Sequence, residues 1–177
     1  GNAADNAIHG TAAANVLTGN DGNDSLYGYG GNDSLAGGNG NDWMDAGTGA
    51  DTLAGGSGDD TYLIYGAATL NELAGQGNAT LIVNGGAAFA TGGAPFVLGT
   101  GISMEILRAA AGLHATGLTG NGGDNVLIGN AGDNKLVGGG GNDSFDGNAG
   151  GNDSMTGGTG ADAFRFDGVA NSLGADV

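Results

Sequence analysis

The stretch GNDGNDSLYGYGGNDSLAGGNGNDWMD, residues 19–45, divides into three nonapeptides, GNDGNDSLY, GYGGNDSLA and GGNGNDWMD. Each of them starts with glycine-rich residues, has an aspartate at its sixth position and has a large apolar residue at its eighth. A linker has no reason to keep such a period, and one apolar residue in nine is sparse for an ordinary core. The stretch therefore indicates an internal repeat whose copies stack on one another.

The same period extends well beyond this stretch. A first run of seven units covers residues 1–63 without an insertion, and a second run of five units begins at residue 120, with one extra residue in GNAGGNDSMT. The sixth position holds Asn6, Asn15, Asp24, Asp33, Asp42, Asp51, Asp60, Asn125, Asn134, Asp143, Asp153 and Asp162. The eighth position holds Ile8, Leu17, Leu26, Leu35, Met44, Leu53, Tyr62, Leu127, Leu136, Phe145, Met155 and Phe164. Between the runs, AGQGNATLI at residues 74–82 keeps the pattern, but Ala79 stands where the aspartate belongs.

Composition and charge restrict the classes of partner. The chain has 177 residues, with 43 glycines, one proline and no cysteine, so no disulfide can stabilise it. Nineteen acidic residues face three basic ones, which gives a net charge of −16. Such a charge opposes binding to nucleic acid or anionic membranes and favours cations. No stretch approaches the roughly 18 apolar residues of a membrane span, so membrane insertion is not expected.

The repeat positions predict a β-solenoid. Glycine tolerates positive φ and close backbone approach, so the start of each unit is a tight turn. Three residues follow, and in a strand the apolar eighth residue faces one side while its two neighbours face the other. A single strand of this kind cannot bury its apolar face, whereas stacked coils can. The resulting core is thin, so another interaction has to contribute to stability.

The carboxylates at the sixth position predict that interaction. Each follows a turn that exposes backbone carbonyls, and two stacked turns would surround a cation with hard oxygen atoms. Ca²⁺ takes about six to eight such ligands, whereas Mg²⁺ retains its waters. Zn²⁺ prefers Cys or His, and the chain has only His9 and His114, which we expect at the surface or in the spacer. A phosphate-binding loop is disfavoured because each glycine-rich turn ends in an anionic side chain.

The units resemble the RTX nonapeptide, GGxGxDxUx, of calcium-binding parallel β-rolls. The resemblance implies an all-β, right-handed parallel β-roll or β-helix solenoid, with two nonapeptides in each coil and turns 18 residues apart stacked on one edge. It also divides the chain into a first block at 1–82, whose last unit is degenerate, an irregular spacer at 83–119 that continues the roll, and a second block at 120–177. The spacer segment SMEILRAAAG could form a short helix, although we favour strands.

The resemblance also implies ligand sets for about six to eight Ca²⁺ ions. In the family, the earlier turn provides the carbonyls of positions two and four and its Asp, and the later turn provides those of positions one and three and its Asp. Carried onto this sequence, the facing sets are Asn20, Gly22 and Asp24 with Gly37, Asn39 and Asp42; Gly38, Gly40 and Asp42 with Gly55, Ser57 and Asp60; Tyr29, Gly31 and Asp33 with Ala46, Thr48 and Asp51; and Gly139, Gly141 and Asp143 with Gly157, Thr159 and Asp162. Asp153 is a further expected ligand, beside the extra residue.

Four turns depart from the family pattern in a way that weakens the expected sites. Asn6, Asn15, Asn125 and Asn134 replace the aspartate, so these sites lose charge. The acidic residues one position earlier, Asp5, Asp124 and Asp133, are expected to substitute in part.

The sequence predicts a non-enzymatic protein. It contains no GxSxG motif and no Cys/His pair, and the single acids Glu72 and Glu105 are expected to be solvated or to cap polar groups. The family resemblance implies an extracellular or cell-surface location in a Gram-negative bacterium, reached by a type I route, for a chain that is a piece of a longer protein or lacks an N-terminal signal. A structural role with end-to-end self-association is the leading interpretation, and a folding and secretion module of a larger secreted enzyme or toxin is the alternative. Tyr27 and Trp43 are expected on one face of neighbouring coils, where a surface carbohydrate is a weaker third possibility.

Overall fold

The computed structural model describes residues 1–72, 76–84, 96–97, 105–110 and 116–166. Every regular element in these ranges is a β-strand, and no helix occurs among them. The chain groups into two compact units, Gly1–Ile82 with Gly101–Met104 and Val83–Thr100 with Glu105–Val177. Within the described part of the chain, no helix is long and apolar enough to cross a membrane. The three-part division of the sequence stays a prediction.

The first unit is built from two parallel sheets. The strands are β1 (Ala7–Thr11), β2 (Val16–Asp21), β3 (Ser25–Tyr29), β4 (Ser34–Asn39), β5 (Trp43–Asp45), β6 (Asp51–Ser57), β7 (Thr61–Ile64), β8 (Ala68–Asn71) and β9 (Thr80–Val83), which ends at the unit boundary. Odd-numbered strands pair in the order β1-β3-β5-β7-β9, and even-numbered strands pair in the order β2-β4-β6-β8. Successive strands thus alternate between the two sheets, as in a solenoid.

The second unit repeats this arrangement. Its strands are β10 (Phe96–Val97), β11 (Ile106–Ala109), β12 (Thr116–Thr119), β13 (Val126–Ile128), β14 (Asn134–Gly140), β15 (Ser144–Asp146), β16 (Ser154–Thr159) and β17 (Ala163–Arg165). They pair in the orders β10-β12-β14-β16 and β11-β13-β15-β17. The strand β11 lies inside SMEILRAAAG, so the helical option for that segment is wrong over residues 106–109 and the strand option is right. The other ends of that segment, together with Pro95 and His114, lie outside the described residues.

The strand register confirms that two nonapeptides make one coil. Leu26 pairs with Met44, and Leu17 pairs with Leu35, in each case 18 residues apart. Beyond the extra residue of GNAGGNDSMT the offset becomes 19, as in the pair Phe145 and Phe164. The turn takes up the insertion, and the strands on either side keep their pairing. The all-β parallel solenoid predicted from the repeat is therefore the fold of this chain.

Most eighth-position side chains belong to the core, together with apolar residues of the later strands such as Ile64, Leu81 and Leu107. Leu26, Met44 and Tyr62 are fully buried on one sheet, and Leu35 and Leu53 are buried on the other. In the second unit Leu127, Leu136, Phe145 and Met155 are buried, and the Phe145 ring stacks on Phe164 at 4.8 Å between centroids. Alternate residues along each strand are more exposed, because successive side chains of a strand face opposite sides. Seven of the eight sixth-position carboxylates border this core and are buried with it, and Asp162 in the last unit is half-buried.

Candidate metal centres

Backbone with positive φ at the second position of several units, glycine in many of them, allows the turns to stack closely. Gly38 has a φ of +126°, which L-residues rarely adopt. A Cβ atom at Gly38 would collide with the carbonyl oxygen of Asn20, the residue with which it pairs in the preceding coil. The same position holds Asn20 and Tyr29, which also have positive φ, at +85° and +70°. Stacked turns therefore bring backbone carbonyl oxygens within reach of the sixth-position side chains.

One oxygen atom of each sixth-position carboxylate holds two coils together. Oδ1 of Asp42 accepts the amide N–H of Asp24 at 2.7 Å, and Oδ1 of Asp60 accepts the amide N–H of Asp42 at 2.8 Å. On the other edge, Oδ1 of Asp51 accepts the amide N–H of Asp33 at 2.9 Å. The same bond recurs in the second unit, where the acceptors are Asp143, Asp153 and Asp162. The carboxylates thus form a ladder along each edge of the roll.

The second oxygen atom of most of these carboxylates is buried without a partner. It is Oδ2 of Asp24, Asp33, Asp42, Asp60, Asp143 and Asp153. All six residues are at most 3% exposed, and Asp51 is also buried. A buried carboxylate oxygen without a hydrogen bond or a cation is energetically costly. The same unsatisfied atom in six turns is a sign that a cation belongs beside it.

Four of the six unpartnered oxygens, those of Asp24, Asp33, Asp42 and Asp143, border the same space as a carbonyl oxygen of the next coil. A Cβ atom added to Gly19 would collide with Oδ2 of Asp24 and would lie 2.5 Å from the carbonyl oxygen of Gly37. At Gly37 the corresponding neighbours are Oδ2 of Asp42 and, at 2.7 Å, the carbonyl oxygen of Gly55. The space that a side chain would fill at the first position therefore borders two hard oxygen atoms from two different turns. Glycine leaves that space open, and within residues 1–63 the unit that starts at Ala46 is the exception.

Burial raises the pKa of four of the sixth-position carboxylates, so these four are harder to ionise in the absence of a cation. It raises the pKa of Asp42, Asp51 and Asp143 above the usual value. It raises the pKa of Asp60 to about 7, and the negative charges of Asp42, Glu72 and Asp59 add to the effect. Stacked like charges in a partly desolvated edge repel one another. A bound divalent cation would reverse this balance.

The predicted carbonyl ligands lie on stacked turns, as the repeat requires. The carbonyl oxygen of Asn39 accepts the N–H of Gly22 at 2.9 Å, and that of Tyr29 accepts the N–H of Thr48 at 2.8 Å. Each carbonyl oxygen has a second lone pair for another partner. The other residues expected to provide carbonyl ligands lie in equivalent turns of both repeat runs. They are Gly31, Gly38, Gly40, Ala46, Ser57, Gly139, Gly141, Gly157 and Thr159. The complete ligand sets stay a prediction.

The asparagine turns satisfy their own polar groups. Oδ1 of Asn15 accepts the N–H of Thr11 at 2.6 Å, and Oδ1 of Asn6 accepts the N–H of Asn2 at 2.7 Å. Oδ1 of Asn125 and of Asn134 accepts the N–H four residues earlier in the same way. An amide oxygen used within its own turn has less need of a cation than an unpartnered carboxylate oxygen. The four asparagine turns, which are expected to bind Ca²⁺ weakly, are therefore those whose side-chain oxygen already accepts a hydrogen bond.

A second ladder, at the fifth position, has no counterpart in the sequence predictions. Oδ1 of Asp5 accepts the N–H of Asn23, Oδ1 of Asn23 accepts the N–H of Asn41, and Oδ1 of Asn41 accepts the N–H of Asp59, each at 2.8 Å. Asp124 and Asp133 make the same bond to the next coil. Asp5, Asp124 and Asp133, expected as substitute ligands, thus have a structural role here. The recurrence of Asn and Asp at this position was the signal that could have revealed it.

The burial of Glu72 also differs from the sequence prediction. This residue is 1% exposed, so the expectation of a solvated side chain is wrong, and its Oε2 accepts the hydroxyl hydrogen of Tyr62. The Tyr62 hydroxyl oxygen in turn accepts the N–H of Gly55 at 2.7 Å. The expectation of a polar contact for Glu72 is therefore right.

The outward face of the first sheet bears an aromatic cluster. The imidazole of His9 stacks on Tyr27 at 4.7 Å between ring centroids, and its Nδ1 lies 2.9 Å from the hydroxyl oxygen of Tyr29. Tyr27 and Trp43 lie on the neighbouring strands β3 and β5, each next to an inward-facing residue, so they share the outward face as predicted.

The donor set fits Ca²⁺ better than other metals. Among the described residues no three His, Cys, Asp or Glu side chains converge as a metal-binding group, so backbone carbonyls would have to complete any coordination shell. Mixed carboxylate and carbonyl ligation suits Ca²⁺. An unpartnered Oδ2 atom and an adjacent carbonyl oxygen are both present at four of the predicted aspartates, Asp24, Asp33, Asp42 and Asp143.

Comparison with known proteins agrees with this geometry. The family model described as RTX calcium-binding nonapeptide repeat matches the chain in four copies, at residues 1–35, 27–62, 119–151 and 149–173. These residues make up more than half of the chain and include all of the sixth-position aspartates. A search of curated proteins found no match to this chain.

Proposed function

This chain belongs to the RTX calcium-binding nonapeptide repeat family, and on that premise we propose that it is an extracellular, non-enzymatic structural β-roll that folds on binding Ca²⁺ and then associates end to end. RTX repeats bind calcium, so the chain is a calcium-binding β-roll. The proposed coupling of calcium binding to folding depends on one observation, the row of buried carboxylate oxygens without a partner.

Calcium and folding are coupled in this proposal. Asp24, Asp42 and Asp60 stack along one edge at successive coils, where each carboxylate is buried beside another of the same charge. Without a cation, this repulsion and the unpartnered oxygens oppose stacking. When bound, Ca²⁺ supplies the positive charge, and the aspartates with the carbonyls of the glycine turns would hold it. Because the complete site exists only in the stacked state, the binding free energy contributes to folding.

Far-UV circular dichroism in EGTA and in millimolar Ca²⁺ tests this coupling. We expect a disordered spectrum in EGTA and a β-rich spectrum with calcium. Mg²⁺ at the same concentration is the matched control, and because it releases its waters reluctantly it should be much less effective. A spectrum that is already β-rich in EGTA and does not change with calcium would contradict the proposal.

Two features support self-association: the unpaired edges of the outermost strands and the loss of net negative charge when Ca²⁺ binds. In the described part of the chain β1 and β17 each pair with a neighbour on one side only. Unpaired strand edges are templates for association. With about six to eight Ca²⁺ bound, the net charge of −16 would fall to between about −4 and zero. The loss of self-repulsion favours a surface layer, a filament or an adhesin stalk.

The alternative function is a calcium-dependent folding and secretion module of a larger secreted enzyme or toxin. It shares the coupling of calcium and folding but requires no association. The oligomeric state of the calcium-loaded chain therefore distinguishes the two, and a catalytic domain in the complete gene would favour the module. Under either function we propose an extracellular or cell-surface location in a Gram-negative bacterium, reached by a type I route.

Binding of a surface carbohydrate at Tyr27 and Trp43 is a third and weaker proposal. Aromatic side chains on an exposed sheet face can contact sugar rings. However, His9 already stacks on one face of the Tyr27 ring.

A further inference from the structure

The Asp60 site lacks the second aspartate that the repeat would provide. Asn78 donates its N–H to Oδ1 of Asp59, and Thr80 donates its N–H to the carbonyl oxygen of Asp60, both at 2.8 Å. These are the bonds that join earlier pairs of turns, so Ala79 occupies the place of the next aspartate. Ala79 is fully buried and has no carboxylate. A calcium ion between these turns would therefore have one aspartate instead of two.

The unpartnered oxygen of Asp60 is nevertheless present and buried. Asp60 is 1% exposed, and its Oδ2 has no hydrogen-bond partner. A Cβ atom at Gly55 would collide with this oxygen, as at the corresponding glycines of earlier turns. Its second neighbour differs, however, because the hydroxyl oxygen of Tyr62 takes the place that a carbonyl oxygen of the next coil has at Gly19 and Gly37.

The Tyr62 hydroxyl connects this place to Glu72. It donates its hydrogen to Oε2 of Glu72, whose side chain is 1% exposed. Glu72 also lies close enough to Asp60 for its negative charge to act on that carboxylate. Asp60, Tyr62 and Glu72 thus form a contiguous group of buried oxygen atoms beside Gly55. No other turn among the described residues has a glutamate in this position.

We propose that Glu72 supplies the missing second carboxylate of a calcium site at Asp60, and that Tyr62 positions it. This inference rests on the proposed calcium binding and adds a ligand that the nine-residue pattern does not contain. Glu72 reaches the site from outside the sixth position because Asn71 pairs with Ala54, which brings the next residue, Glu72, alongside Gly55. The final coil of the first unit would then bind its ion as strongly as a regular coil.

A purely structural role for Glu72 gives a different expectation. In that case Glu72 would only hold the Tyr62 hydroxyl, which accepts the N–H of Gly55. Glu72→Gln separates the two roles, because a glutamine oxygen can still accept the hydroxyl hydrogen but has no charge for a cation. The rescue variant Glu72→Gln/Ala79→Asp places a carboxylate back at the regular sixth position.

The test is the number of Ca²⁺ ions bound by the whole chain, measured by isothermal titration and by metal analysis after dialysis. We expect Glu72→Gln to bind one ion fewer than the wild type, or to bind one ion at least about tenfold more weakly, and the double variant to regain it. An unchanged number and unchanged midpoints in Glu72→Gln would overturn the proposal.

Two further outcomes are also decisive. If Glu72→Gln does not fold in calcium, recovery of both folding and the ion count in the double variant supports a ligand role, and failure of that rescue overturns it. If the wild type itself binds no calcium, the proposed function fails, which the wild-type titration reveals independently of Glu72.

Discussion

The amide N–H of Asp24 donates a 2.7 Å hydrogen bond to Oδ1 of Asp42, 18 residues later in the chain. This bond leaves Oδ2 of Asp42 buried and without a partner. Each carboxylate therefore joins two coils through one oxygen atom and presents the other to the space beside the glycine turn. The same side chain is at once a structural link and a candidate ligand, so its loss should affect folding and calcium binding together.

Alanine substitutions along this ladder should raise the calcium concentration needed for folding by unequal amounts. Asp42 has aspartates in the coils on both sides, Asp24 and Asp60, whereas Asp33 has Asn15 on one side and Asp51 on the other. A hydrogen bond to a charged group contributes about 1.5–3 kcal/mol, so each aspartate variant should shift the midpoint by about tenfold or more. Asp42→Ala should shift it most.

Asn15→Ala is the matched variant with the smallest expected shift, because it removes a neutral acceptor from its own turn. Calcium titrations followed by circular dichroism give the order of the three midpoints. Equal midpoints would contradict the assignment of Asp42 to two sites.

Acidification should stabilise the calcium-free fold. Burial raises the pKa of Asp60 from 3.8 in the unfolded chain to about 7. Because the folded-state pKa is the higher one, the folded state binds the proton more tightly, and this contribution is fully present below about pH 3.8 and lost as pH rises through about 7. In EGTA the folded fraction should therefore increase as pH falls across this window.

Calcium should reverse that dependence, because a proton on Asp60 competes with the cation for the same oxygen atoms. The calcium midpoint should rise as pH falls through 7. Asp60→Asn is the control and should weaken both dependences. A calcium-free chain that loses structure on mild acidification would show that the prediction is wrong.

Gly38→Ala should destabilise the roll, whereas Gly30→Ala should not. Gly38 has a φ of +126° and faces the carbonyl oxygen of Asn20, so a Cβ there is both strained and obstructed. At Gly30 the nearest atom to an added Cβ is Oγ1 of Thr48 at 3.4 Å, which is ordinary contact. Urea unfolding in saturating calcium should show a loss of more than about 1 kcal/mol for Gly38→Ala. A similar loss in both variants would contradict the stacking of these turns.

Removing one member of the fifth-position ladder should have a moderate effect. Asn41→Ala deletes the acceptor of the Asp59 N–H, at 2.8 Å in the wild type. The expected loss in free energy of unfolding is about 0.5–1.5 kcal/mol, measured in saturating calcium. Asn41→Asp is the matched control, because Asp5 makes the same bond elsewhere in the ladder. If both variants lose the same stability, the ladder bond is not the cause.

End-to-end association should depend on the outer edge of β1. In later coils the N–H at the seventh position donates to the preceding coil, as in the bonds from Ser25 to Asn6 and from Trp43 to Asp24, both at 2.8 Å. The N–H of Ala7 therefore points away from its own unit. Ala7→Pro removes this donor without removing a described hydrogen bond, and it should reduce light scattering in calcium.

Ala7→Val is the matched control for that experiment, since it keeps the N–H and favours a strand. It should associate like the wild type. A wild type that stays monomeric in calcium at high concentration would favour the secretion-module alternative over the filament.

Much of this architecture could be predicted from the amino-acid sequence because a repeat gives equivalent positions equivalent surroundings. The nine-residue period predicted which residues are buried, from Leu26 to Phe145, and the recurring aspartates predicted a cation beside each turn. A glycine-rich turn takes up the extra residue before Asp153, and the ladder bond to Asn134 persists at 2.9 Å.

The hydrogen-bond partners of the side chains became known only from the three-dimensional arrangement. The fifth-position ladder joins residues 18 or 19 apart, and the contact of Glu72 with Tyr62 involves a residue outside the repeat pattern. The asparagine turns join residues only four apart, but which atom accepts each bond is visible only in the structure. A sequence period specifies which positions are equivalent, but hydrogen bonds depend on distance and direction between atoms of neighbouring coils. Those distances are set by the register of the strands, which pairs residues 18 or 19 apart in the two repeat runs.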